Sequence, residues 1–213
     1  MMHDNESVIY DLDGTICKYN TFHMYIIFLF ILFLFSLNFM ASYKLLSCVY
    51  QRVTRRISHY KFKGDILLLV SNLNSKCSYF FAKFITIISR SRFTKLRKIV
   101  GDKNYYSVLA TAAPFSYAVY LKDLLGFDHV IASEINSGFL TENIREIKCK
   151  RVMSYLYDMN LKPYALFTDH HDDIFISNHV KLIYLVDPSM KTIDIFNEQR
   201  FEYIIVNDFW GMK

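Results

Sequence analysis

The sequence predicts an α/β fold: a doubly wound, mostly parallel sheet with a helical insertion near its start. Three observations lead there. Short β-branched and aromatic runs alternate with segments of helical spacing, polar segments rich in Asp and Thr follow several of those runs, and one long apolar and basic stretch interrupts the alternation. Parallel sheets of this kind bind ligands beyond the carboxyl ends of their strands. A chain of 213 residues accommodates one such domain plus a modest insertion and can bury a real core. Hydrophobic residues make up 53%, with 19 Phe and 16 Tyr, which excludes disorder and implies apolar surface in need of a partner.

The first strand is read at residues 7–10, Ser-Val-Ile-Tyr, which stop at Asp-Leu-Asp-Gly-Thr. Residues 22–41 are almost wholly apolar, and segments of helical spacing continue to about Val100, so 21–100 is expected to be a helical insertion and 1–20 with 101–213 the body. The next strand covers 106–110. After Thr111 a helix is expected with Pro114 in its first turn and its end at Gly126. A strand at 129–132, a helix at 149–159 and strands at 164–167, 182–186 and 203–206 complete the set, the 164–167 strand running into Thr-Asp-His-His-Asp-Asp.

Charge is segregated along the chain. From Lys18 to Lys98 there are 14 Lys and Arg against one acid, Asp65; the remainder holds 11 basic and 19 acidic residues, for a net charge of +5. A basic insertion on an acidic body implies an anionic partner, either a phosphorylated substrate or an anionic bilayer. Nucleic acid is not expected, because the basic residues accompany Phe, Ile and Leu runs instead of a recognition-helix or Gly-rich pattern. Cys17, Cys48, Cys77 and Cys149 are scattered, which excludes a zinc site or disulfide framework and suits a reducing cytoplasm.

Chemistry concentrates in the polar segments. Asp11 and Asp13, two residues apart after a strand, can divide the work: one attacks phosphorus and the other moves protons. Thr111 offers a hydroxyl, and the turn it begins, Ala112 included, offers amides for a phosphate. Lys148 can reach that phosphate as a point charge, with Lys150 as its competitor. Asp169 and Asp173 supply hard oxygens for Mg²⁺, with Asp172 as the alternative to Asp173. His170 and His171 are expected to shape that loop, since Mg²⁺ prefers oxygen.

Asp-Leu-Asp-Gly-Thr at 11–15, Ala-Thr-Ala-Ala-Pro at 110–114, Lys148 and Thr-Asp-His-His-Asp-Asp at 168–173 resemble, in order and spacing, the four motifs of the haloacid dehalogenase superfamily. Leu-Val-Asp-Pro-Ser at 185–189 resembles a segment of its phosphoserine phosphatase-like branch. The resemblance implies a Rossmann-like body with a helical cap inserted after the first motif. It also implies Asp11 as nucleophile, Asp13 as general acid and base, phosphate on Thr111, Ala112 and Lys148, and Mg²⁺ on Asp11, Asp169, Asp173 and the Asp13 carbonyl. The chain departs from true phosphoserine phosphatases at Cys-Lys-Tyr-Asn-Thr-Phe-His, residues 17–23, where they carry a Glu for the substrate amine. The metal loop also lacks the usual small residue after its first Asp.

The apolar segment constrains the function. Residues 24–35 are unbroken and the run to Ala41 is just long enough for a span, yet a single crossing would part Asp11 from Thr111, Lys148 and Asp169. A signal peptide is excluded on the same ground, since cleavage would remove Asp11. The expectation is a phosphatase at a cytoplasmic membrane surface acting on a lipid-linked phosphate such as phosphatidylglycerophosphate. The alternatives are a soluble cytoplasmic phosphatase for small sugar or alcohol phosphates, or a catalytically silent membrane-associated scaffold.

Overall fold

The computed structural model describes residues 5–71, 73, 75–101, 104–136 and 138–207, so the outermost ends of the expected body lie outside the described residues. The sheet is built from β1 (Glu6–Tyr10), β2 (Tyr106–Pro114), β3 (His129–Asn136), β4 (Phe139–Thr141), β5 (Lys162–Thr168), β6 (Leu182–Val186) and β7 (Ile204–Val206). Their order is β4-β3-β2-β1-β5-β6-β7, with every pair parallel except β3 with β4. The chain therefore lays strands outward from β1 in one direction and then in the other. The crevice where that direction switches opens beyond the carboxyl end of β1, where ligands bind in open α/β sheets.

Val8 to Tyr10 of β1 are buried on both faces, which is why they read as a short apolar run. Val8 and Tyr10 pack into the cluster on the insertion side, and Ile9 packs on the other side with Val152 and Leu156. Tyr10 meets Phe93 edge-on at 5.4 Å and stacks on Phe167 at 4.9 Å.

Among the described residues, four helices separate β1 from β2: α1 (Thr21–Phe35), α2 (Phe39–Val53), α3 (His59–Val70) and α4 (Ser75–Ile99). The long apolar run is thus two helices, and among the described residues no helix is long and apolar enough to cross a membrane. Leu37 has φ 53, and Asn38 accepts the Ala41 amide at 3.1 Å as the cap of α2. The polar pair Ser36 and Asn38, which interrupts the hydropathy, makes this corner; an Asn cap contributes about 1 kcal/mol. α1 buries Phe22, Tyr25, Leu29 and Phe33 along one stripe, while Ile27, Ile31 and Phe35 face out.

Among the described residues the body also holds the α-helices α5 (Phe115–Leu125), α6 (Arg145–Asp158), α7 (Ile174–Ser177) and α8 (Met190–Glu198), with a 3-10 turn at His171–Asp173 before α7. α5 ends as expected at Gly126, φ 81, whose amide donates to the Lys122 carbonyl at 2.8 Å. Three expectations are corrected here. β2 runs on through Thr111 to Pro114, so Pro114 precedes the helix instead of lying in its first turn. α6 begins at Arg145, one turn before the apolar periodicity starts. β3 runs past the expected 132 to Asn136, where it pairs with the three-residue β4, and α8 is an amphipathic helix, capped by Ser189, that was not expected.

Candidate active site

The chain turns as soon as β1 ends. The Asp11 amide donates to the Phe167 carbonyl at 2.9 Å, so the first residue of the loop is still tied to β5. Gly14 has φ 80, and a Cβ there would run into the Asp169 carboxylate. Glycine is thus required both for the turn and for the close approach of the two loops. Thr15 Oγ1 donates to Asp169 Oδ1 at 3.3 Å. Asp13 accepts the Thr21 amide at 2.8 Å, which ties it to the start of α1, and the Thr21 hydroxyl in turn meets the Tyr117 hydroxyl at 2.8 Å.

Because α6 begins at Arg145, Lys148 falls in its first turn and points at the sheet edge. It is 4% exposed, with its ammonium 2.8 Å from Asp11 Oδ1 and 2.7 Å from Asp173 Oδ1. Lys150 is exposed. Asp173 is buried and also accepts the Thr168 hydroxyl at 2.8 Å, whereas Asp172 pairs with the exposed Arg145 at 2.9 Å. Of the alternatives open in the sequence, Lys148 and Asp173 are the inward members. Asp11, Asp13, Ala112, Lys148, Asp169 and Asp173 line one cavity of about 410 Å³. Thr111 lies buried behind its wall, its hydroxyl accepting the Ala113 amide and its carbonyl accepting from Asn143, both at 3.0 Å.

Burial, then the charges of Asp173 and Asp169, raise Asp11 well above the usual carboxylate range, with Lys148 opposing. Burial likewise raises Asp13, against the pull of the Thr21 hydrogen bonds. Burial works against the charge on Lys148, but Asp11 and Asp173 outweigh it and hold the ammonium charged. Asp169 is pushed from the usual 3.8 to about 6, mainly by burial and with a contribution from Asp173. In the metal-free chain the folded state therefore binds the proton that the unfolded state has released, and this contribution favours folding as pH falls through about 6. Thermal melts of the metal-free protein at about pH 7 and about pH 5 are expected to differ in that direction by more than those of Asp169→Asn. Equal shifts in the two proteins would remove Asp169 as the cause.

The cavity's donors, Asp11, Asp169 and Asp173, are hard oxygens, and their mutual charge is the condition a divalent cation relieves. They fit Mg²⁺ by donor type. Among the described residues, however, the three side chains whose donor atoms lie within 4.8 Å of one another are His170, His171 and Asp172, of which His170 and Asp172 line the cavity. Two of those are already engaged, since His170 Nδ1 accepts the Asp172 amide and Asp172 pairs with Arg145.

No protein-family model matches the sequence, and no curated protein matches it significantly. Solved structures do match. A protein of unknown function from Bordetella pertussis Tohama I superposes with TM-score 0.73 at 16% identity, over 93% of this chain and 97% of that one. A HAD family hydrolase from Salmonella enterica serovar Typhi gives 0.60 at 10% identity, over 97% and 69%. A phosphoserine phosphatase solved as a phospho-aspartyl intermediate analogue gives 0.52 at 12% identity, over 93% and 92%. The fold is that of the haloacid dehalogenase-type hydrolases. It is a fold shared with phosphoserine phosphatases, and here helices α1–α4 stand between β1 and β2.

The fold also joins α3 to residues 110–114 through a side chain that sequence reasoning passed over. Lys63 is 3% exposed, and its ammonium donates to Glu142 Oε1 at 2.6 Å and to the Ala112 carbonyl at 2.7 Å. Ser133 donates to the same carbonyl at 2.7 Å. The signal was present, because Lys63 stands in register with Ile66, Leu67 and Val70 on the apolar stripe of α3, where a solvated lysine has no place. Lys63→Met strands a buried carboxylate and is expected to cost about 3–5 kcal/mol in denaturant unfolding, most of it recovered in Lys63→Met with Glu142→Leu. A loss no larger in the single than in the double variant would show the pair to be energetically idle.

Proposed function

We propose that this chain is a magnesium-dependent phosphomonoester phosphatase working through an aspartyl phosphate on Asp11. The observation that carries the reading is one cavity lined by Asp11 and Asp13 and by Asp169 and Asp173, with the Lys148 ammonium 2.8 Å from Asp11. In the first step a carboxylate oxygen of Asp11 bonds to phosphorus, the bond from phosphorus to the leaving oxygen breaks, and Asp13 protonates that oxygen. In the second, Asp13 takes a proton from water as the water oxygen attacks phosphorus, and the Asp11–phosphorus bond breaks to release inorganic phosphate. Burial of Asp13, which raises its affinity for the proton, suits the first of these roles. Lys148 and the amides around Ala112 would balance charge on the phosphoryl oxygens. Mg²⁺ held by Asp11, Asp169, Asp173 and the Asp13 carbonyl would add a Lewis acid to that balance. The test is Mg²⁺-dependent phosphate release from a panel of lipid and small-molecule phosphomonoesters, and silence of the folded protein across the panel would favour the scaffold reading.

We favour a lipid-linked or membrane-proximal phosphate as substrate, with the insertion, residues 21–100, acting as a cap that rests on a bilayer at its cytoplasmic face. An exposed apolar corner supports this. Phe35 is 86% exposed, Leu37, Phe39 and Met40 follow it into α2, and Lys44, Arg52, Arg55 and Arg56 accompany them. Wild-type protein is expected to pellet with vesicles rich in phosphatidylglycerol, and Phe35→Asp with Phe39→Asp to pellet roughly tenfold less. Equal amounts in both pellets, or none in either, would sink this part of the reading. The soluble alternative rests on the cavity itself, where charged and polar residues predominate and Ile144 is the one large apolar side chain in the lining.

A further inference from the structure

A second cavity of about 360 Å³ lies between the C-terminal half of α4 and the sheet face carrying Val8 and Tyr10. It shares no lining residue with the catalytic cavity. Arg90, Thr94, Arg97 and Lys98 come from α4 at a spacing that puts them on one helix face. Val8, Tyr10 and Phe93 form an apolar floor, and Tyr105 and Ser107 supply hydroxyls at the β2 end. Among the described residues none of the three cations has a carboxylate partner; Arg90 donates to the Leu124 carbonyl at 2.9 Å, and Arg97 lies 5.8 Å from the centre of the Phe93 ring. The Tyr10 hydroxyl likewise has no hydrogen-bond partner among the described residues.

Three cations that have no carboxylate partner among the described residues, set over a floor that includes aromatic rings, suit a multiply charged anion with a flat or apolar part. Guanidinium forks match phosphate oxygens in pairs, and an ammonium adds a point charge. A lipid phosphate brings too few charges for three cations, while a cavity of this size holds a compact soluble ligand. We propose that this cavity is a second ligand site, for an organic di- or triphosphate of the nucleotide class.

The site would not be idle with respect to the catalytic edge. Arg92, two residues beyond Arg90 on α4, donates to the Gly14 carbonyl at 3.0 Å and to Asp187 at 2.7 Å. A ligand bridging Arg90, Arg97 and Lys98 thus braces the helix that holds the loop of the first motif.

The test is calorimetric titration with ATP in EDTA, so that metal-bridged binding at the catalytic carboxylates does not contribute and no turnover is needed. The proposal therefore stands or fails independently of the phosphatase reading. Wild type is expected to bind one equivalent, and Arg97→Gln with Lys98→Gln to bind roughly tenfold or more weakly, with affinity falling as salt rises. Both residues are exposed, so the double variant folds. Arg55→Gln with Arg56→Gln removes the same charge from the exposed turn after α2 and is expected to leave the affinity unchanged. No binding by wild type, an unaffected Arg97/Lys98 variant, or equal weakening in both double variants would overturn the site.

Discussion

Asp11→Asn is expected to lower Mg²⁺-dependent phosphate release by roughly 10⁴-fold or more, the scale seen when an enzyme loses its nucleophile. The amide matches the carboxylate in shape but cannot bond to phosphorus. Folding should survive, because burial and the neighbouring charges of Asp173 and Asp169 already oppose an ionised Asp11, and Lys148 keeps Asp173 as its partner at 2.7 Å. Parallel assays of release and thermal unfolding separate chemistry from stability. Activity above about one per cent of wild type in a variant with an unchanged melt would move the nucleophile elsewhere, since it exceeds what such a loss leaves.

Lys148→Met carries the second large effect, and it strikes both stability and turnover. Asp11 and Asp173 each lose a buried partner closer than 3 Å. Breaking a buried pair by removing one member costs about 3–5 kcal/mol. Loss of the charge facing a phosphoryl group costs roughly 10²–10³-fold in kcat, as removal of one preorganised donor does. Mg²⁺ is expected to recover part of the stability by neutralising the same carboxylates, and none of the lost rate. Lys150→Met, on the exposed face of the same helix, should change neither quantity. Denaturant unfolding with and without Mg²⁺, together with release assays, checks all of this; a Lys148→Met protein as stable as wild type would mean that the ammonium does not compensate the acids.

The parts of the fold legible in the sequence were those where one physical requirement acts locally. Val8, Ile9 and Tyr10 of β1 are buried on alternating faces of the sheet, so an apolar run marks the strand, and Gly126 takes the left-handed conformation that ends α5. β2 was read four residues short because Thr111 and Pro114 look like helix-start chemistry, whereas the strand runs on past its last partner in β1 at Leu109 and, after an irregularity beyond Ala110, pairs again with β3 at Pro114. The 22–41 run was long enough in hydropathy to imitate a span. Its division into α1 and α2 turns on three residues, Ser36 to Asn38.

By itself the sequence determined the α/β alternation, the polar loops after the strands and the placing of Asp11, Asp13 and Asp169 in those loops, because hydropathy period and turn chemistry act over a few neighbouring residues. Only the tertiary structure decided between Lys148 and Lys150 and between Asp173 and Asp172, or brought Lys63 of α3 against the Ala112 carbonyl and Glu142. Those outcomes depend on which residues, distant in sequence, share a buried volume, where an unpaired charge is too costly to leave.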